Sequence, residues 1–282
     1  MTRRTFAGAS ASTALAMAQA GPLTAQQVLD RIKANLGVPW REATVDTIKT
    51  ANPQQTVTGI ATSFTSTMDV LRKASSKGLN MVIVHEPTFY NHEDKREDLA
   101  GAVFTAKAAF LEKNGLVVLR FHDHWHARRP DGILVGMVSE LGWEKFADPA
   151  NPRRFVFPPA SLETVAARLA QRLDVKTMRV IGDRKLEVRN VILAPGYASL
   201  PGVMRTLERD DVDALVIGEA REWEGVEYAR DAVALGKKKA LIIVGHSMSE
   251  DGGMKECAKW LTSFIPEVPV EFIASGEPYW RP

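Results

Sequence analysis

The sequence has almost no cysteine. Cys257 is the only one in 282 residues, so an intrachain disulfide is excluded. It falls in an apolar-periodic stretch with Met254, Ala258 and Leu261, the setting of an inert buried thiol rather than an activated nucleophile. Net charge is also missing. Setting aside residues 1–20, which hold Arg3 and Arg4 but no acid, lowers the 36 Lys and Arg to 34, matching the 34 Asp and Glu. A neutral chain lacks the basic footprint of a nucleic-acid binder, so no nucleic-acid partner is expected. There is no run of roughly 18 consecutive apolar residues, which argues against a membrane span. No glycine-rich phosphate loop is present, and Gly245-His246-Ser247 is not the Gly-x-Ser-x-Gly elbow of a serine hydrolase.

What is present is enough apolar residue, 45% against 25% charged, for a substantial core in one large or two modest domains. Residues 1–20 differ from the rest: two arginines, a mildly apolar Ala/Ser-rich run, then Ala18-Gln19-Ala20 before Gly21-Pro22. That is the order of an export signal, and the Arg3-Arg4 pair with a weakly hydrophobic run suits the twin-arginine route, giving a periplasmic or secreted protein. After it, helical and strand patterns alternate. Helices are expected over 23–36, with Thr24 and Gln27 in capping-box spacing, and over 66–76, 97–113, 132–141, 161–173, 201–208, 223–235 and 253–264. Strands are expected over 56–64, 81–84, 116–121, 178–182, 188–193, 214–218, 240–244 and 268–273. The polar, proline-containing stretch 148–154 reads as a connection between halves, 21–150 and 151–282. The fold class expected is α/β, with helix-covered sheets in both halves.

The histidines carry the chemistry. Three of six fall within five residues, His122, His124 and His126, just after the apolar run 116–121. His85 follows Met-Val-Ile-Val, His246 follows Ala-Leu-Ile-Ile-Val-Gly, and Glu219 follows Ala-Leu-Val-Ile-Gly. In α/β sheets, ligands gather beyond the carboxyl ends of strands, so four strand mouths each carrying a metal-competent group point to one site. His246 and Glu250, four apart, can share a helix face, and Glu86 sits beside His85. Mixed imidazole and carboxylate ligands suit Zn, Mn or Fe, with one or two ions per subunit. Asp123, His124 and Glu219 are candidates to orient ligand imidazoles, and His92, in a polar run, reads as solvated loop. A separate reading of His122-x-His124-x-His126 as a metallo-β-lactamase-like signature lacks the following Asp-His pair.

Three segments in order resemble the Nif-three-like dinuclear metal-centre family, also filed as GTP cyclohydrolase I type-two homologues. They are VTGIATSFTSTMDVLRKASSKGLNMVIVHEPTFY, LVVLRFHDHWHARRPDGI and VIGEAREWEGVEYARDAVALGKKKALIIVGHSMSEDGGMKECAKWL. The resemblance implies a Nif-three-like fold of two related α/β halves with the metal site between them, and a toroidal homo-hexamer. It places the metal ligands on His85, Glu86, His122, His126, His246 and Glu250. Two positions depart from the family pattern: Glu86 stands where a second histidine is expected and His126 where an aspartate is, so the total of imidazoles and carboxylates is kept but redistributed. It further implies a hydrolase, with Glu86 or Glu250 moving protons for a metal-activated water and a small-molecule substrate that could include a purine-like ring. The alternative is a non-catalytic oligomer that stores, delivers or senses metal.

Overall fold

The computed structural model describes residues 22–97 and 99–282; the export-signal reading of residues 1–20 lies outside them. The first helix, α1 (Ala25–Asn35), opens on the capping box that its spacing predicts: Thr24 accepts from the Gln27 N–H while the Gln27 side chain accepts from the Thr24 N–H. Then come β1 (Ile60–Ser63), α2 (Met68–Ser76), β2 (Met81–Val84), α3 (Ala102–Lys113) and β3 (Val117–Arg120). Their strand residues are buried on both faces, as an uninterrupted Val/Ile run requires. The short α4 (Asp123–Ala127) and α5 (Gly132–Leu141) follow, then β4 (Ala147–Asp148), β5 (Asn151–Ser161), α6 (Leu162–Leu173), β6 (Arg179–Ile181) and β7 (Glu187–Tyr197). The chain continues through α7 (Leu200–Leu207), β8 (Ala214–Glu219), α8 (Glu227–Ala234), β9 (Ala240–Ile243), α9 (His246–Thr262) and β10 (Val270–Phe272).

Two sheets result. One, ordered β10-β1-β2-β3, is wholly parallel; the other, ordered β4-β5-β7-β8-β9-β6, is parallel across β7-β8-β9 and antiparallel at its edges. Each is covered on both faces. One face of the first sheet packs with α1 and the far half of α9, the other with α2 and α3. The second sheet has α5 and α6 on one side and α7 and α8 on the other. This is the helix-covered α/β architecture that the alternating pattern predicts.

Three expectations are corrected. The stretch 148–154 is not a bare connection: Asn151 to Arg154 open an eleven-residue strand that folds back on β4, with Asp148 and Asn151 paired across the turn. Its prolines are tolerated because this strand lies near the sheet edge, where a missing N–H leaves little unpaired. The C-terminal strand leaves the second half to pair with β1, so the first sheet is closed by the last strand of the chain. The helix expected over 253–264 starts seven residues earlier, at His246, so Gly252-Gly253 lies inside α9.

Those glycines allow α9 to cross α5 at backbone contact. A Cβ on Gly136 would fall 2.1 Å from the Gly252 carbonyl oxygen, and one on Gly253 2.6 Å from the Ile133 Cα. The gain in close packing outweighs the helix cost of glycine, about 1 kcal/mol per residue. Gly136→Ala must push two backbones apart, so it is expected to lower unfolding free energy by about 3 kcal/mol, the upper part of the overpacking range. The shift in a urea-denaturation midpoint at unchanged slope measures it; a variant as stable as the parent would show that the crossing can relax.

Candidate metal centre

The strand ends deliver the six candidate residues to one place. His85 and Glu86 leave β2; His122 leaves β3, and His126 is one turn on in α4. His246 and Glu250 occupy the first turns of α9, beyond β9. Gly245, at φ +98°, makes the sharp strand-to-helix turn that only glycine adopts easily. His85 Nε2 lies 3.1 Å from His126 Nε2 and 3.5 Å from Glu250 Oε2. His246 Nε2 lies 3.3 Å from Glu250 Oε2, and Glu86 Oε1 is 3.6 Å from the Nε2 atoms of both His122 and His246. Two sets of mutually close ligand atoms overlap at His85: His85, His122 and His126, and His85, Glu86 and Glu250.

Each imidazole is held by its other nitrogen. His85 Nδ1 meets the Phe121 carbonyl at 3.2 Å and His122 Nδ1 meets Asp123 at 3.0 Å. His126 Nδ1 meets Asp131 at 3.1 Å and His246 Nδ1 meets Glu219 at 3.1 Å. Oxygens accept there, so the proton is assigned to Nδ1 and all four Nε2 lone pairs point inward. With the two carboxylates, the centre is lined by acceptors. Glu250 Oε2, buried, has no hydrogen-bond partner. Such a convergence of lone pairs fits a cation, so the residues present could hold divalent metal.

The ionisation states agree. Burial, then His122 and His126, holds the His85 imidazole well below its usual range, and burial lowers His122 against its bond to Asp123. For His126 and His246 burial is outweighed. Asp131 raises His126, while Glu219, Glu250 and Glu86 push His246 up to about 10. Burial pushes Glu86 up to about 7. The neighbouring carboxylates thus favour the charged form of the two imidazoles His126 and His246.

Of the expected orienting residues, Asp123 and Glu219 stand where proposed. His124 does not. Its ring is fully buried away from the cluster, stacked on Trp40 at 3.8 Å, with Nδ1 on Asp46 at 2.7 Å and Nε2 accepting from the Arg41 N–H at 2.9 Å. In α4, residues 122 and 126 share a face that 124 cannot join. His92 is exposed, as its polar surroundings imply, though its ring lies edge-on to His122 at 5.9 Å.

Other residues were not found from the sequence. Asp131, which also caps α5, lies only five residues after His126. Arg120, fully buried, approaches Glu86 Oε2 at 3.3 Å and also bonds the carbonyls of His85 and His92. Its signal was a lone charge inside an apolar strand. Gly196, at φ +80°, leaves room for Glu250, whose Oε1 would stand 2.3 Å from a Cβ there.

The sequence matches the family Duf34/NIF3 (NGG1p interacting factor 3) over residues 22–278, and the chain belongs to that family. It is 23% identical over 211 residues to a GTP cyclohydrolase 1 type 2 homolog of Clostridium acetobutylicum, covering 70% of this chain and 71% of that protein. Among solved structures it is similar to a Bacillus cereus protein related to NIF3, with a TM-score of 0.73, 14% identity, and 93% and 99% of the two chains covered. It is also similar to a hypothetical protein of Staphylococcus aureus, with a TM-score of 0.72, 14% identity, and 93% and 100% covered. These likenesses show the shared α/β fold.

Metal must displace the protons on His246 and Glu86. Because both groups lose protons as pH rises, apparent affinity for Zn²⁺ is expected to rise with pH between 6 and 9, with proton release seen by calorimetry in buffers of different ionisation enthalpy. Binding with no proton release would contradict these ionisation states. His246→Ala and Glu250→Ala are each expected to lower the metal content of the purified protein; content unchanged in both would remove them from the ligand set.

Proposed function

We propose that the chain is an exported metal-dependent hydrolase acting on a small molecule, working as a homo-hexamer with one or two Zn, Mn or Fe ions held by His85, Glu86, His122, His126, His246 and Glu250. The observation that carries this reading is the one-sided exposure of the acceptor cluster. The His85 and Glu250 side chains are 0% and 2% exposed, whereas those of His246, His122 and His126 are 20%, 21% and 29% exposed. A storage site would close its ligand shell; a catalytic site leaves an open side for water and substrate. Divalent ions bound here would supply Lewis acidity and a water acidified toward neutrality.

The residues themselves do the rest. Asp123, Asp131 and Glu219 fix the ring orientations, so the Nε2 atoms need not reorganise during reaction. Glu86, with its pKa pushed up to about 7 and one oxygen toward the open imidazoles, suits proton transfer at neutral pH. Glu250, buried against Gly196, is better placed to hold charge than to exchange protons with solvent. The printed name of the Clostridium relative puts a purine-like ring among candidate substrates. A large cleft of about 1070 Å³ lies elsewhere, between α6, the back of α9 and the C-terminal tail. Its volume is outweighed as a guide by the chemistry at the strand ends.

Glu86→Gln is expected to lower kcat for a hydrolysed substrate by about 10²-fold or more when turnover is expressed per bound ion, which separates loss of proton transfer from loss of a ligand. A panel of purine-like and phosphoester substrates, run with and without chelator, tests it; metal retained with no turnover across the panel would favour the storage or sensing reading. Export is tested by fractionation: Arg3→Lys with Arg4→Lys should leave the protein inside the cell.

A further inference from the structure

Helix α4 has five residues, too few to hold itself, and its N-cap, His122, makes no side-chain cap. Yet it carries two of the candidate ligands. The missing cap comes from 76 residues upstream. Asp46, 1% exposed, accepts from the N–H groups of His122 (2.6 Å) and Asp123 (3.0 Å) on Oδ1. On Oδ2 it accepts from the His124 N–H (2.8 Å) and His124 Nδ1 (2.7 Å). Four donors thus fill one carboxylate. The same loop adds Thr44 Oγ1 and the Val45 N–H on Asp123 Oδ2, at 2.8 and 3.3 Å, while Trp40 and the Arg41 N–H hold the His124 ring.

The clasp reaches only one side of the centre. His122 and His126 form one ligand set with His85; Glu86 and Glu250 form the other, also with His85 and with His246 beside them, and among the described residues no hydrogen bond or ion pair joins Glu86, Glu250 or His246 to the 40–46 loop. We propose that Asp46 is a positioning residue for one of two ion positions, presenting His122 and His126 as ligands, so that its loss weakens that position and spares the one at Glu86, Glu250 and His246. This rests on the metal-centre reading above.

An asparagine at 46 is nearly isosteric but replaces Oδ2 with a donor, which would face the two His124 N–H groups. The ring cannot reverse, because Nε2 accepts from Arg41. The start of α4 must shift, a displacement of the kind that costs a metal site about 10- to 100-fold in affinity.

The test is Co²⁺ titration of the full chain, followed by calorimetry and by the visible absorption of bound Co²⁺. Wild type is expected to take two equivalents. Asp46→Asn should keep one at wild-type affinity and bind the second 10- to 100-fold more weakly, with the absorption change confined to that equivalent. Thr44→Val, which removes one donor to Asp123 and the acceptor of the Asp46 N–H but keeps the Asp46 carboxylate, should weaken the same equivalent less, and it decides the matter if Asp46→Asn does not fold. Two unchanged equivalents in the folded variants, or equal weakening of both, would overturn the proposal. A wild type that binds no Co²⁺ would overturn the metal reading itself, a result seen before any variant is made.

Discussion

Four imidazole nitrogens and two carboxylates meet at this centre with their lone pairs turned toward one another, and the charged donor that reaches them is Arg120, on Glu86 Oε2. Such an arrangement is stable only if positive charge fills it. Burial drives His85 and His122 toward neutrality, while the surrounding carboxylates raise His126 and push His246 up to about 10, so that protons or a cation can supply the charge. The outer partners make the condition hard to escape. Because Phe121, Asp123, Asp131 and Glu219 fix the Nδ1 protons, none of the rings can present a donor inward by changing tautomer.

Helix α9 ties this constraint to the fold. Its first turns hold His246 and Glu250, while Met254, Cys257 and Leu261 lie in the core of the first sheet. Helix α5 divides in the same way, with Ile133 in that core and Leu134, Met137 and Leu141 in the core of the second sheet. The two sheets thus share a helix pair whose backbones touch at Gly136 and Gly252. The spacing of the strand mouths is set by that contact, since neither helix can slide without opening a core on each side.

The strand mouths were legible because each was a short apolar run ending in a metal-competent residue: Met81–Val84 before His85, and Ala240–Ile243 with Val244 and Gly245 before His246. Period and burial carry that signal locally. What was hidden was whatever depended on distant chain. His124 shares the composition of its neighbours, and only the loop bearing Trp40 and Asp46 turns it into a buried structural group. Stretch 148–154 has the composition of a connection, and only pairing with β4 and β7 makes it a strand. The early start of α9 was masked because its first turns carry polar ligands and glycines, so amphipathic period appears only from Met254 onward.

The redistribution of ligands becomes intelligible once formal charge is counted around the centre. Glu86 and Glu250 face inward, Asp123, Asp131 and Glu219 stand behind the rings, and Arg120 and Arg153 pair with Glu86 and Asp131. Five carboxylates against two guanidiniums leave a formal charge of −3 with the imidazoles neutral. One divalent ion would bring this to −1, and two to +1. The carboxylate at position 86 is met by the fully buried Arg120, which also lies 3.6 Å from Asp94. The imidazole at 126 is backed by Asp131, whose charge is shared with Arg153 at 3.1 Å. With the imidazoles neutral, that excess of negative charge would draw divalent cations, the chemistry we propose for the site.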